Sequence, residues 1–177
     1  MKGFAHRDIK DDNIMFDNNN IKLIDFGTSC YSTKKRELCH EIIGTYFYGA
    51  PETFNVDKNE LKRISLFKYK KLDYTKFDIW SLGIVLLELI LQKKMIKYYN
   101  YNSMVKYFKY KKGNFSLIEL LKINFDIDPD LKKLLVGLLQ LDPNKRLNAS
   151  DSLKLININK MGNIKDLNKF YEDCRKI

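Results

Sequence analysis

Residues 78–92 constrain the fold more than any other stretch of the chain. Ile79, Trp80, Leu82, Ile84, Val85, Leu86, Leu87, Leu89, Ile90 and Leu91 put apolar side chains on nearly every side of a helix. A helix that is apolar all round has no solvent-facing stripe, so it must lie in the middle of a domain with other elements packed about it. The longest apolar run, Leu82 to Leu91, is 10 residues with Glu88 inside it. A bilayer span needs about 20, so the segment predicts a core helix and no membrane span. No charged-then-apolar leader opens the chain, which points to a soluble cytoplasmic or nuclear protein. With 177 residues, 45% hydrophobic and 31% charged, there is material for one core and disorder is excluded as the main state. The length fits one domain, or one large piece of something bigger.

The rest of the pattern is mostly helical. Asn13–Phe16 and Ile21–Ile24, joined across Asp17-Asn18-Asn19-Asn20, predict a β-hairpin within 13–26, the only clear sheet. Asp128-Pro129 supplies an N-cap and a proline at the first helical position. Leu131, Leu134, Leu135, Leu138 and Leu139 then follow at helical spacing until Asp142-Pro143. Asn148 caps a short helix through Leu153 and Leu155. Ile164, Leu167, Phe170, Tyr171 and Cys174 fall on one stripe near the end, and 93–127 reads as one or two helices with mobile connections. With no repeat and no flexible linker, the fold class predicted is mainly α with a small β-hairpin.

Thirty-two Lys and Arg face 22 Asp and Glu, a net charge of +10. Such a surface attracts polyanions. Yet 27 of the cations are Lys and only 5 are Arg, in a chain also rich in Asn and Ile, a bias expected from codons rich in A and T. Arg is the better bidentate reader of phosphate and guanine, so a solvated surface is favoured over a specific nucleic-acid site. Cys30, Cys39 and Cys174 make no CxxC pair and no even framework. That predicts neither a disulfide scaffold nor, with His40, a zinc site, and it favours a reducing compartment.

Chemistry concentrates in His6-Arg7-Asp8-Ile9-Lys10-Asp11-Asp12-Asn13 and, twelve positions after Asn13, in Asp25-Phe26-Gly27. Phosphoryl transfer needs an aligned hydroxyl and offset charge on the phosphate oxygens, so positioning and electrostatics dominate. Asp8 is a carboxylate that can orient a hydroxyl and accept its proton. Lys10 can set an ammonium against a γ-phosphate. Asn13 and Asp25 carry hard oxygens at the two ends of the hairpin, where antiparallel pairing brings them together as a Mg²⁺ clamp; taken without the surrounding motif, both residues would by default be turn caps.

These two runs resemble the catalytic loop and the metal-binding motif of the eukaryotic protein kinase family. Further resemblances follow in family order. Gly44-Thr45 and Ala50-Pro51-Glu52 resemble the end of an activation segment, Asp78-Ile79-Trp80-Ser81-Leu82-Gly83 the central helix, and Arg146 the partner of Glu52. The resemblance implies a serine/threonine protein kinase using ATP and Mg²⁺ on protein substrates. Asp8, Lys10 and Thr45 would be catalytic, Lys10, Asn13 and Asp25 would bind the cofactor, and Asn13 and Asp25 would hold the metal. It also implies that His6 packs on Phe26, that Thr45 bridges Asp8 and Lys10, that Glu52 and Arg146 form a bidentate pair, and that Asp78 accepts catalytic-loop N–H groups.

Arg7 before Asp8 implies an activation loop ordered by a phosphate. The usual phosphosite falls on Glu41, which either pairs with Arg7 as a fixed carboxylate or is a solvated side chain; Ser32 and Thr33, beside Lys34-Lys35-Arg36, are other candidates. Asp11 stands where the family often has proline. The 25 residues between Glu52 and Asp78 exceed the family's usual need, so 55–72 reads as a basic surface insertion, an unconstrained loop or a dock for acidic partners. The resemblance runs from residue 3 to about 155, with 156–177 a helical extension that packs on the body or serves as a docking tail. It begins at the catalytic loop, so the expectation is a kinase C-lobe with the N-lobe absent. The alternative is a catalytically incompetent kinase-like binding module or a gene-model fragment.

Overall fold

A computed structural model describes residues 3–17, 20–33, 36–37, 43–57, 60–63, 72–92, 116–120 and 126–156. At its centre lies α1, Tyr74–Leu91, with Trp80 2% and Leu87 0% exposed. Helix α1 starts four residues before the uninterrupted apolar pattern, because Asp73 is the N-cap. Its carboxylate accepts the N–H groups of Thr75 at 3.0 Å and Lys76 at 3.4 Å, satisfying two of the donors that every helix start leaves over. Gln92 ends the helix in the left-handed region at φ +52.

Among the described residues there are three shorter helices: α2 Leu117–Leu120, α3 Pro129–Leu138, which packs on α1, and α4 Ala149–Leu155, which packs on α3. Asp128 caps α3 by accepting from Asp130 and Leu131, and Asn148 caps α4 by accepting from Asp151 at 2.9 Å. Leu134, Leu135 and Leu138 are the buried face of α3. Gly83 lets α1 and α3 approach closely. A Cβ there would lie 2.8 Å from Leu139 Cδ2 and 3.0 Å from Leu138 Cβ.

There is more sheet than the sequence pattern predicts. The expected hairpin forms from β2, Ile14–Asp17, and β3, Asn20–Leu23, paired antiparallel with Met15 opposite Lys22 and Phe16 opposite Ile21. Pairing runs on into the predicted turn, as far as Asp17 opposite Asn20. It is not the only sheet. A three-stranded sheet joins β1, Phe4–Ala5, to β4, Cys30–Thr33, and β5, Arg36–Glu37. The segment read as an unconstrained loop carries a third hairpin, β6 Phe54–Asp57 with β7 Glu60–Arg63. Two-residue strands carry no detectable alternation, and the lysines of 55–72 hid the period-2 pattern of Phe54, Val56 and Leu61.

Cys30, 6% exposed, lies in β4 opposite Ala5 of β1. Among the described residues no helix is long and apolar enough to cross a membrane. Glu41 and the 164–174 stripe lie outside the described residues, as does most of 93–127.

Candidate active site

The loop between β1 and β2 is held from beneath by the first turns of α1. Asp78 accepts the N–H groups of His6 at 2.6 Å and Arg7 at 2.8 Å. Burial pushes the Asp78 carboxyl up to about 6, against the pull of those two N–H groups. Arg7 turns into the left-handed region at φ +71, a conformation that costs a non-glycine residue about 1–2 kcal/mol. Its side chain is held on both sides, donating from Nε to the Thr28 carbonyl at 2.5 Å and lying over the Tyr74 ring at 5.4 Å. His6 meets Phe26 edge-on with centroids 4.8 Å apart. Its Nε2 lies 2.9 Å from the Ile24 carbonyl and its Nδ1 faces the Asp8 N–H at 3.3 Å. One neutral tautomer, protonated at Nε2, serves both contacts.

This scaffold presents Asp8. Its Oδ1 accepts two hydrogen bonds from Thr45, from the N–H at 2.7 Å and the hydroxyl at 2.8 Å. Its Oδ2 lies 3.1 Å from Lys10 Nζ. Lys10 also donates to Thr45 Oγ1 at 3.3 Å, so the Thr45 hydroxyl bridges the two. Burial works to raise the Asp8 carboxyl, but the hydrogen bonds from Thr45 and Lys10 outweigh it and hold the group below the usual carboxylate range. Lys10 is raised, first by its hydrogen bond to Asp8. Aspartate 8 is therefore ionised at neutral pH and held as an acceptor.

Gly44 is what lets Thr45 approach. It sits at φ +101, and a Cβ there would run into the Arg7 carbonyl. The hairpin places the remaining residues: the Ile24 N–H donates to the Asn13 carbonyl at 3.0 Å, so the loop ends meet beside Asp8. Asn13, 5% exposed, donates from Nδ2 to the Asp8 carbonyl at 2.8 Å and to Asp8 Oδ2 at 3.3 Å, so that its amide oxygen is not used in these two bonds. Asp25 has φ +60 and caps the turn Phe26–Thr28, accepting the Gly27 N–H at 3.4 Å. Capping at 3.4 Å is weak and occupies one oxygen of two. One carboxylate and one amide oxygen suit Mg²⁺, which takes few protein ligands and completes its shell with phosphate and water.

The sequence profile of the protein kinase domain matches residues 1–155. The chain belongs to the protein kinase family. Among its relatives are CBL-interacting serine/threonine-protein kinase 18 of Arabidopsis thaliana, 33% identical over 156 residues, covering 86% of this chain and 26% of the relative. Kinase 2 of the same series and plant is 36% identical over 146 residues, covering 81% and 27%. CBL-interacting protein kinase 2 of Oryza sativa subsp. japonica is 32% identical over 149 residues, covering 82% and 29%. The kinase chain thus spans under a third of the length of these curated relatives.

Behind the site, Arg146 and Glu52 make a planar pair, Nη1 to Oε1 at 2.7 Å and Nη2 to Oε2 at 2.8 Å. Arg146 is 1% exposed. It also donates to the carbonyls of Gln140 and Lys76 and lies over Trp80 at 5.1 Å. Sequence reasoning missed Tyr48, whose hydroxyl lies 2.9 Å from both Asp11 Oδ1 and Glu88 Oε2. The only available signal was Glu88, a charged residue inside the apolar helix, where a buried carboxylate needs a partner.

Proposed function

We propose that this kinase chain transfers the γ-phosphate of ATP to serine and threonine hydroxyls of proteins. The carrying observation is the Asp8 carboxylate, clasped on one oxygen by Thr45 and faced on the other by Lys10 at 3.1 Å. In this reading Asp8 orients the substrate hydroxyl and takes its proton. Lys10, held upright between Asp8 and Thr45, sets its ammonium beside the transferring phosphate. Asn13 and Asp25 would hold Mg²⁺, which when bound offsets charge on the phosphate oxygens. In this reading the described elements are those of the family's C-terminal lobe, and similarity to serine/threonine-protein kinases supports that specificity. Protein substrates and a cytoplasmic or nuclear setting belong to the same proposal. A second reading, a kinase-like binding module without catalysis, draws on the β6–β7 hairpin that directly follows the Glu52 anchor.

The test uses the longest expressed product of the gene with γ-labelled ATP and a mixed protein substrate. Label should appear on phosphoserine and phosphothreonine and vanish when divalent cations are chelated. Label confined to tyrosine, or unaffected by chelation, contradicts the assignment.

A further inference from the structure

Asp11 follows Lys10 and opens the turn Asp11–Asn13; its carboxylate reaches Tyr48, 37 residues on. Tyr48 closes the turn Tyr46–Tyr48 that begins just after Thr45, and its N–H donates to the Thr45 carbonyl at 3.2 Å. The same two loops are therefore joined twice, by Asp8 to Thr45 and by Asp11 to Tyr48, with two residues between the links on either side. A single pairing leaves two loops free to pivot, whereas two pairings a turn apart fix their distance and angle. The second link is itself anchored to α1, since Tyr48 meets Glu88 at 2.9 Å and its carbonyl accepts Ser81 Oγ at 2.8 Å. Tyr48 and Glu88 are each 9% exposed, where hydrogen bonds to charged groups are stronger than in water.

We propose that Asp11 is a positioning residue: through Tyr48 it sets where the catalytic loop stands relative to Thr45, and so the alignment of Asp8 for transfer. The role in catalysis rests on the kinase reading above; the link between the loops does not. Burial and then Glu88 push the Tyr48 phenol upward, so the hydroxyl keeps its one proton. That proton serves one carboxylate at a time, and the second contact is a hydrogen bond only when a carboxyl carries a proton. An asparagine at 11 removes this conflict, its amide donating to Tyr48 Oη while the Tyr48 hydroxyl donates to Glu88.

The experiment compares wild type with Asp11→Ala, Asp11→Asn, Tyr48→Phe and the double variant Asp11→Ala/Tyr48→Phe, after circular dichroism shows which are folded. Amide hydrogen exchange is read at Thr45 and Tyr48, with Leu87 in α1 as reference. Steady-state kinetics are read on the longest expressed product. Asp11→Ala should speed exchange at Thr45 and Tyr48 by about tenfold, the equivalent of one buried hydrogen bond. It should lower kcat by about 10- to 100-fold with KM for ATP unchanged, the effect of misplaced reacting groups. Asp11→Asn should restore both, Tyr48→Phe should reproduce the loss, and the double variant should add nothing to it. Exchange in Asp11→Ala within twofold of wild type overturns the link, and Asp11→Asn as slow as Asp11→Ala overturns the positioning role. Absence of phosphate transfer by wild type overturns the kinase reading and the catalytic role with it, while exchange still decides the link.

Discussion

Gly44 and Asp78 carry the local geometry on which Asp8 depends, and each gives a sharp expectation. At Gly44, φ of +101 and the closeness of the Arg7 carbonyl leave no room for a side chain. Gly44→Ala should withdraw both Thr45 hydrogen bonds from Asp8 and lower kcat about 100-fold or more, with the melting temperature changed far less than activity. Asp78 gives a pH dependence. Because burial raises it to about 6 from 3.8, the folded chain holds a proton between those values that the unfolded chain has released. Its contribution to stability is therefore fully present below about pH 4 and falls as pH rises through 6, by about 3 kcal/mol. Urea unfolding at pH 4.5 and pH 7 should show Asp78→Asn shrinking the difference between the two; an unchanged difference removes Asp78 from the pH response. At this scale the grouping of Asp8, Lys10 and Asn13 was legible from their spacing in one loop, and the contact of Thr45 with Asp8 and Lys10 from the family resemblance. The left-handed Arg7 and the Tyr48 contacts were not, since both arise from loops that meet only after folding.

Among the elements, α1 was legible from its all-round apolarity and α3 from its cap and leucine spacing, because both patterns are strong and local. Strands β1, β4 and β5 were not, since pairs of two-residue length take their identity from a partner distant in sequence. Interlocking of α1 and α3 at Gly83 makes a prediction. Alanine gains about 1 kcal/mol in helix propensity, but a Cβ 2.8 Å from Leu139 and 3.0 Å from Leu138 forces the helices apart. Overpacking costs about 1–3 kcal/mol, so Gly83→Ala should lower stability in chemical denaturation. The Glu52–Arg146 pair ties the Pro51–Thr53 turn to the helices. Arg146→Ala leaves Glu52 and the carbonyls of Gln140 and Lys76 without their donor, and should cost about 3–5 kcal/mol.

For the molecule as a whole, length and charge said least. The net charge of +10 suggested polyanions in general, whereas the structure gives placed tasks to Lys10, Arg7 and Arg146. Family membership came from motifs in order, and the geometry around Asp8 turns that membership into a chemical proposal. The kinetic effect of Asp8→Asn on phosphate transfer to serine and threonine, in the longest expressed product, tests it most directly. With Asp8 as the base and aligning group, the variant should fold with unchanged ATP affinity and lose about 10²- to 10⁴-fold in kcat; transfer within a few-fold of wild type would show that the chemistry is done elsewhere.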